Sequence, residues 1–386
     1  MTSASSLPRS EPRIALVHDY LNQYGGAERV LETFHELYPN APIYTSLYDP
    51  DVMPPKFRSW DIRTSFLQRI PGSRRFHRPL LLLYPMAFES FDLRDYDVVI
   101  SNSSAWAKGV ITGPDTLHVS YCLTPMRWAW SYDEYVNRER MGKAARRVLP
   151  SAVHYLRLWD VATANRVDRF IGISRVVVSR IAKYYRRDAD LISPPVDVES
   201  IPFNPQAGNS FLVVSRLIPY KRIDLAVSAC SRLSLPLTVV GDGRDRAQLQ
   251  AAAGPTVRFT GRLSDREVRD ALAGCGAFLF PGEEDFGIAP VEAMAAGRPV
   301  VAYAGGGALD TVADGVTGRF FAPQTVGALE ERLSDFDFNG FSPEAIRAHA
   351  MQFDTRSFTQ TFARYVDQAR DERATGQIAR RSGTSV

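Results

Sequence analysis

The sequence predicts an α/β fold built from two doubly wound parallel sheets, and three observations carry that expectation. Short runs of Val, Ile, Leu and Phe alternate with longer stretches of helical spacing. That is the pattern of strands buried on both faces between covering helices. The pattern occurs twice, on either side of a Pro-rich stretch of low periodicity from Ser193 to Gly208. The chain also has 386 residues, about the size of two ordinary domains.

In the first half, Arg13-Ile-Ala-Leu-Val-His18 reads as a buried strand, followed by Gly25-Gly26 and a helix from Ala27 to Tyr38. Tyr96 to Ser101, Leu117 to Cys122 and Arg169 to Ser174 read as further strands. In the second half the strands are Phe211 to Ser215, Leu237 to Gly241, Val257 to Thr260, Ala277 to Phe280 and Pro299 to Ala302, with Gly318 to Ala322 as one more. Gly305-Gly306-Gly307 and Asp314-Gly315 punctuate them as turns. The expected organisation is a disordered leader over 1–12, a first sheet domain over 13–195 and a linker over 196–208. A second sheet domain follows over 209–354, then a helix over 355–370 and a disordered tail over 371–386. Two similar α/β halves argue for a cleft between them, a favoured place for a ligand.

Composition narrows the classes. With 45% hydrophobic residues the chain has material for two cores, and its net charge of +3 is too balanced to argue for nucleic acid. Cys122, Cys230 and Cys275 have no zinc-like spacing and are too few for a disulfide framework, so free thiols in a reducing, cytoplasmic setting are expected. The N-terminal residues lack the apolar core of a signal peptide, and no stretch reaches the ~18 apolar residues of a membrane span.

The most informative segment runs from Pro281 through Glu284-Asp-Phe-Gly-Ile-Ala-Pro-Val-Glu292 to Ala296. It reads as strand, Gly-rich turn and helix start. Backbone N–H groups and a positive helix end there favour an anion. Glu284 and Glu292 can accept hydrogen bonds from hydroxyls without a metal. A sugar beside a diphosphate matches that arrangement. Ser215-Arg216-Leu217-Ile-Pro-Tyr-Lys221-Arg222 follows the first strand of the second half and would hold Arg216 and Lys221 at its carboxyl end. Preorganised cations stabilise the charge that builds on a departing diphosphate, although solvated surface cations are the plainer reading. Gly25-Gly26-Ala-Glu-Arg29 opens the first helix, either as a tight turn or as a loop that lets a phosphate approach the backbone.

The Glu-x7-Glu segment, with Ala-Met-Ala-Ala-Gly-Arg-Pro-Val-Val-Ala302 behind it, resembles the signature of the family 4 retaining glycosyltransferases. Members of that family have the GT-B fold, two Rossmann-like domains facing a central cleft. The resemblance implies that Glu292 binds the nucleotide ribose and Glu284 the sugar hydroxyls, with the Phe286-Gly287-Ile288 backbone nearby. Arg216 and Lys221 would neutralise the diphosphate, with Ser215 and Arg222 standing where the family has glycines. Gly25 and Gly26 would line the phosphates and the acceptor pocket. The helix at 355–370 would cross back to the first domain. The implied catalytic set is Arg216, Lys221 and Glu284, with no metal and no cofactor.

Ser120-Tyr-Cys-Leu-Thr-Pro-Met-Arg-Trp-Ala-Trp130 follows a strand of the first half, and Thr124, Arg127 and Trp128 are its acceptor candidates. Related enzymes of bacterial surface polysaccharides carry His where this chain has Leu123. His118, inside the strand, reads as a core or register residue. Two basic segments, 56–78 and 138–157, read equally as solvated faces or as surfaces resting on anionic lipid.

Competing classes fall away on spacing. None of the five lysines precedes Ser or Thr, which excludes a P-loop. Gly241-Asp-Gly243 lacks the third glycine of a dinucleotide fingerprint. Asp95-Tyr-Asp97 and Asp188-Ala-Asp190 read as turns flanking strands rather than metal-binding pairs. The expected activity is transfer of a hexose, mannose from GDP-mannose first, to a saccharide or polyprenyl-linked acceptor in cell-surface polysaccharide synthesis. The alternatives are another GT-B enzyme using a UDP-sugar or sugar phosphate, and an idle nucleotide-sugar-binding scaffold.

Overall fold

The computed structural model describes residues 12–75, 78–130, 143–206 and 208–376, without the side chains of Arg78, Trp128 and residues 143–148. The expected leader, apart from Pro12, and the tail beyond 376 lie outside the described residues. The chain divides into two compact units. The first comprises 1–172, 177–191 and 362–386, and the second 173–176 and 192–361.

The first unit holds a seven-stranded parallel sheet of order β3-β2-β1-β4-β5-β6-β7. Its strands are β1 (Ile14–His18), β2 (Ile43–Thr45), β3 (Ile62–Thr64), β4 (Val98–Ser103), β5 (Leu117–Cys122), β6 (Arg169–Gly172) and β7 (Ala189–Leu191). β4 and β5 are buried throughout, although Ser101, Asn102, Ser103, His118 and Ser120 interrupt their apolar runs. Asp190, expected in a turn, lies inside the edge strand β7 and accepts a hydrogen bond from Tyr365 at 2.7 Å. β2, β3 and β7 are edge-side strands of three residues each, too short to show a period.

The core of this unit contains a buried ion pair, Lys108 Nζ to Asp160 Oδ1 at 2.9 Å. Lys108 also donates to Asp160 O at 2.7 Å and Thr163 Oγ1 at 2.8 Å. Asp160 in turn accepts from Trp130 Nε1 and Tyr185 OH. Every group in this network has a partner, the condition under which a buried pair is tolerated. His118 is buried in β5 as a register residue. Its Nε2 accepts from Ser101 Oγ at 2.9 Å, while Nδ1 donates to Arg166 O at 3.3 Å.

The second unit repeats the design with six parallel strands in the order β10-β9-β8-β11-β12-β13. These are β8 (Phe211–Val214), β9 (Leu237–Val240), β10 (Val257–Gly261), β11 (Ala277–Phe280), β12 (Val300–Tyr303) and β13 (Gly318–Phe321). The stretch expected to be a linker is packed into this unit. Val196, Val198 and Ile201 are buried. Arg347 donates to Ile201 O and Val198 O, and the buried Arg298 donates to Asn204 O and Gln206 O. Prolines break the periodicity here, but two arginines satisfy the backbone carbonyls that they leave unpaired. The last helix runs from Thr355 to Ala374, past the expected end at 370 into the expected tail. Residues from Phe362 onward belong to the first unit. The three cysteines are buried free thiols. Among the described residues, no helix is long and apolar enough to cross a membrane.

Two outcomes follow from this packing. Lys108→Met leaves Asp160 buried without its cation and should lower the unfolding free energy by about 3–5 kcal/mol, read from urea melts. Burial holds the pKa of His118 down at about 4 against its usual 6.5. The unfolded chain therefore takes up the proton first. Stability from this group is complete above pH 6.5 and is lost as the pH falls towards about 4, at about 1.4 kcal/mol per pH unit. A His118→Gln variant should flatten that part of the urea-midpoint profile, and an unchanged slope would contradict it.

Candidate functional site

In the second unit the chain leaves β8 towards β9 and β10, then returns to β11 on the other side. The loops after β8 and β11 thus diverge at a topological switch point, where open parallel sheets bind ligands at the carboxyl ends of their strands. Both predicted ligand-binding loops lie there. Ser215–Arg222 follows β8, and Pro281–Gly287 follows β11.

Across that point Lys221 Nζ forms an ion pair with Glu284 Oε1, both side chains mostly shielded from solvent. The lysine expected to meet a phosphate and the acid expected to meet sugar hydroxyls are therefore each other's partners. Arg216 sits at the mouth of the same loop with an exposed side chain. Arg222 is turned elsewhere: it pairs with Asp224 and donates to Gln324, whose Nε2 donates to Pro281 O at 2.8 Å. Its backbone is left-handed, φ 52°. That accounts for the glycine expected there, since a side chain costs of order 1 kcal/mol in this conformation.

Glycines set the approach of these loops. A Cβ on Gly282 would stand 2.8 Å from Lys221 O and 2.9 Å from Lys221 Cα. One on Gly241 would stand 1.9 Å from Ser215 O, and one on Gly243 2.2 Å from Leu217 O. Gly241-Asp-Gly243 therefore seats the Arg216–Lys221 loop instead of cradling a dinucleotide. After β12, Gly307 N donates to Glu284 O at 2.8 Å, and a Cβ on Gly307 would meet Phe286 Cα at 2.2 Å. The sequence shows Gly305-Gly306-Gly307 as a turn, but nothing local reveals which backbone those glycines must touch.

The helix Ile288–Ala295 starts behind Gly287, which caps it in the left-handed region at φ 98°. Pro290, Val291, Ala293, Met294 and Ala295 are buried, so the half-buried Glu292 interrupts an otherwise apolar helix. The Phe286 ring packs on Phe353 and leaves only its backbone to the loop. The first N–H groups of this helix, at Ile288, open at the end of β11.

In the first unit the switch point lies between β1 and β4. Asp19, just past β1, is a clamp that the sequence reading missed. Its carboxylate accepts from Ser104 N and Oγ and from the Trp106 and Ala107 N–H groups, at 2.7–2.8 Å. Gly25 is the N-cap of the helix Gly26–Leu37. Of the acceptor candidates, Thr124 Oγ1 accepts from Arg180 at 3.4 Å, Arg127 is half-buried and the Trp128 side chain lies outside the described residues. Trp130 is structural: it donates to Asp160 and stacks on Tyr184. Leu123 N donates to Ser103 O, extending the β4–β5 pairing. In the basic segment 56–78, Lys56, Arg58, Arg63 and Arg74 are paired with Glu32, Asp51, Asp61 and Asp49, so much of its charge is balanced locally. Arg138 and Arg140 of the other basic segment lie outside the described residues.

Residues 199–350 match the family described as glycosyl transferases group 1. A GDP-mannose-dependent alpha-mannosyltransferase of Mycolicibacterium smegmatis is 32% identical over 194 residues, 50% of this chain and 46% of that protein. One from Mycobacterium tuberculosis is 39% identical over 123 residues, 32% of each chain. The match thus spans less than half the length of these relatives. The crystal structure of Anabaena HepE in complex with UDP and glucose superposes with a TM-score of 0.68 at 19% identity, covering 92% of this chain and 100% of that one. The fold is therefore of the GT-B type, with two parallel-sheet Rossmann-like domains.

The glycine contacts make a direct forecast. Gly307→Ala drives a Cβ into fixed backbone at Phe286 and should destabilise by about 1–3 kcal/mol. Gly327, with nothing within 4 Å and in a helix, should tolerate alanine or gain about 0.5–1 kcal/mol. Equal urea midpoints for the two variants would remove the close-approach argument.

Proposed function

We propose that the protein is a retaining, metal-independent glycosyltransferase that moves a hexose from a nucleotide-sugar held by its second unit. The observation that carries this reading is the Lys221–Glu284 ion pair across the switch point. A nucleotide-sugar offers each member a replacement, phosphate oxygens for Lys221 and sugar hydroxyls for Glu284. Binding then exchanges one ion pair for two sets of charge-assisted hydrogen bonds. Glu292 binds the ribose, and the Phe286-Gly287-Ile288 backbone lies along the phosphates at the helix start.

In the reaction, the bond from the anomeric carbon to the diphosphate breaks while the acceptor hydroxyl attacks from the same face. The hydroxyl proton passes to the departing phosphate oxygen, so the configuration is retained and no protein base is required. Arg216 and Lys221 stabilise the negative charge on the nucleoside diphosphate as it develops. Because these side chains supply the positive charge, the step is read as needing no metal.

GDP-mannose is the first choice of nucleotide-sugar, supported by the two mannosyltransferase relatives. A UDP-sugar is the alternative, supported by the UDP-bound structural neighbour. The acceptor is read as a saccharide or a polyprenyl-linked saccharide of cell-surface polysaccharide synthesis, engaged by the first unit near Thr124, Arg127 and Trp128. Tyr155, Leu158 and Val161 are exposed on the helix Lys143–Ala164. They support a peripheral setting on the inner face of the plasma membrane.

A thermal-shift screen against GDP-mannose, UDP-glucose, ADP-glucose and dTDP-glucose tests the reading, since a ligand of the folded state raises Tm by mass action. The largest rise is expected with GDP-mannose, and Lys221→Ala and Arg216→Ala should each lower turnover by about 10²–10³. Full turnover in Lys221→Ala would end the charge-neutralisation role. Binding without turnover in the parent chain would favour the idle scaffold.

A further inference from the structure

We propose that Arg222 and Gln324 are positioning residues of the second unit, a side-chain strut that keeps the loops after β8 and β11 together once the Lys221–Glu284 pair opens onto a ligand. Naming that ligand a nucleotide-sugar rests on the glycosyl-transfer reading above. The strut itself does not.

Lys221 closes the short turn Pro219–Lys221, and Arg222 joins that turn to the helix Ile223–Arg232. The Arg222 guanidinium is used on two sides. Nε and Nη2 hold the Asp224 carboxylate at 3.1 and 3.2 Å, while Nη1 donates to Gln324 Oε1 at 3.4 Å. Gln324 is half-buried between β13 and the helix Val326–Ser334, and its Nε2 donates to Pro281 O at 2.8 Å. Only one orientation of the amide suits both neighbours, because a flip would set Nε2 against a guanidinium N–H and Oε1 against a carbonyl. Arg222, Gln324 and Pro281 thus tie the residue after Lys221 to one three positions before Glu284. The link reaches the loop after β11 from the end of β13, past β12.

Neither the backbone nor the nearer ion pair calls for an arginine at 222. Its φ of 52° lies in the region that favours glycine. Asp224 is 54% exposed, so the pair with it is a surface one that adds little. The contact with Gln324 does call for an arginine. A guanidinium can hold a carboxylate with two N–H groups and reach an amide with another, which an ammonium on a flexible stem cannot do in one geometry.

At rest the two loops are joined twice, by the Lys221–Glu284 pair and by the strut. In the proposed reaction Lys221 turns to phosphate and Glu284 to sugar hydroxyls, so the ion pair stops joining the loops when their spacing matters most. The close approach of Gly282 to Lys221 limits how near the loops come but does not stop them from parting. The strut uses neither Lys221 nor Glu284 and survives the exchange. Misplacement by about 1 Å can cost of order 10²-fold in rate, so a link of this kind is what lets both side chains meet one ligand.

Two measurements on the intact chain test the strut. The Gly307 amide, which donates to Glu284 O at 2.8 Å, reports on the loop after β11 by hydrogen exchange without any ligand. Glu284→Gln and Gln324→Met should each leave its rate near the parent's, because one link remains. The double variant should exchange about tenfold faster or more. In calorimetric titration with GDP-mannose, Arg222→Gly, Arg222→Lys and Gln324→Met should each weaken binding by about tenfold. The Tm of ligand-free Arg222→Gly should stay close to the parent's, since glycine suits the left-handed backbone. The proposal is overturned if the double variant exchanges no faster than Glu284→Gln. It is also overturned if Arg222→Gly lowers Tm yet binds GDP-mannose like the parent, the mark of a purely structural arginine. Parental binding by Arg222→Lys would reduce the residue to a simple charge and overturn it too. A parent chain that does not bind GDP-mannose would count against the glycosyl-transfer reading, and the exchange rates alone would then decide the strut.

Discussion

The Lys221–Glu284 ion pair depends on backbones coming closer together than side chains permit. Gly282 brings the loop after β11 against Lys221, Gly241 and Gly243 seat the loop after β8, and Gly307 supports Glu284 from the loop after β12. Four loops from neighbouring parallel strands meet in this way at one end of one sheet. A parallel sheet puts all its carboxyl ends on one side, and reversal of strand order opens a gap there. Close-packed glycines then turn that gap into a charged site.

The first unit uses the same topology with different chemistry at the end. Its loops are held by Asp19, a carboxylate fully engaged by four donors. Its buried residue of interest, Glu28, faces His18 and Asn102 instead of a lysine. In the second unit the polar groups at the switch point are a cation and an acid that satisfy each other. In the first, Asn102 donates to Ala27 O beside His18, and Glu28 faces the same imidazole.

Most strands could be read directly, because a strand buried on both faces tends to be apolar throughout, as Phe211–Val214 and Ala277–Phe280 are. The edge strands Ile43–Thr45, Ile62–Thr64 and Ala189–Leu191 could not, since three residues show no period and their pairing comes from the neighbouring strand. The Pro-rich stretch after Ser193 looks free in sequence because prolines erase periodicity. Arg298 and Arg347 tie it down from far along the chain.

Local chemistry therefore determines the fold class, the positions of most strands along the chain, and the presence of cations and acids beside glycine turns. Each of those is written in runs of a few residues and in the conformational freedom of single glycines. Which charges face each other is a separate matter. That Lys221 meets Glu284 and that Arg222 reaches Gln324 are consequences of strand order and loop approach. Such pairings join residues far apart in the chain, where no local pattern carries the information, and only the packed sheets bring them within hydrogen-bonding distance.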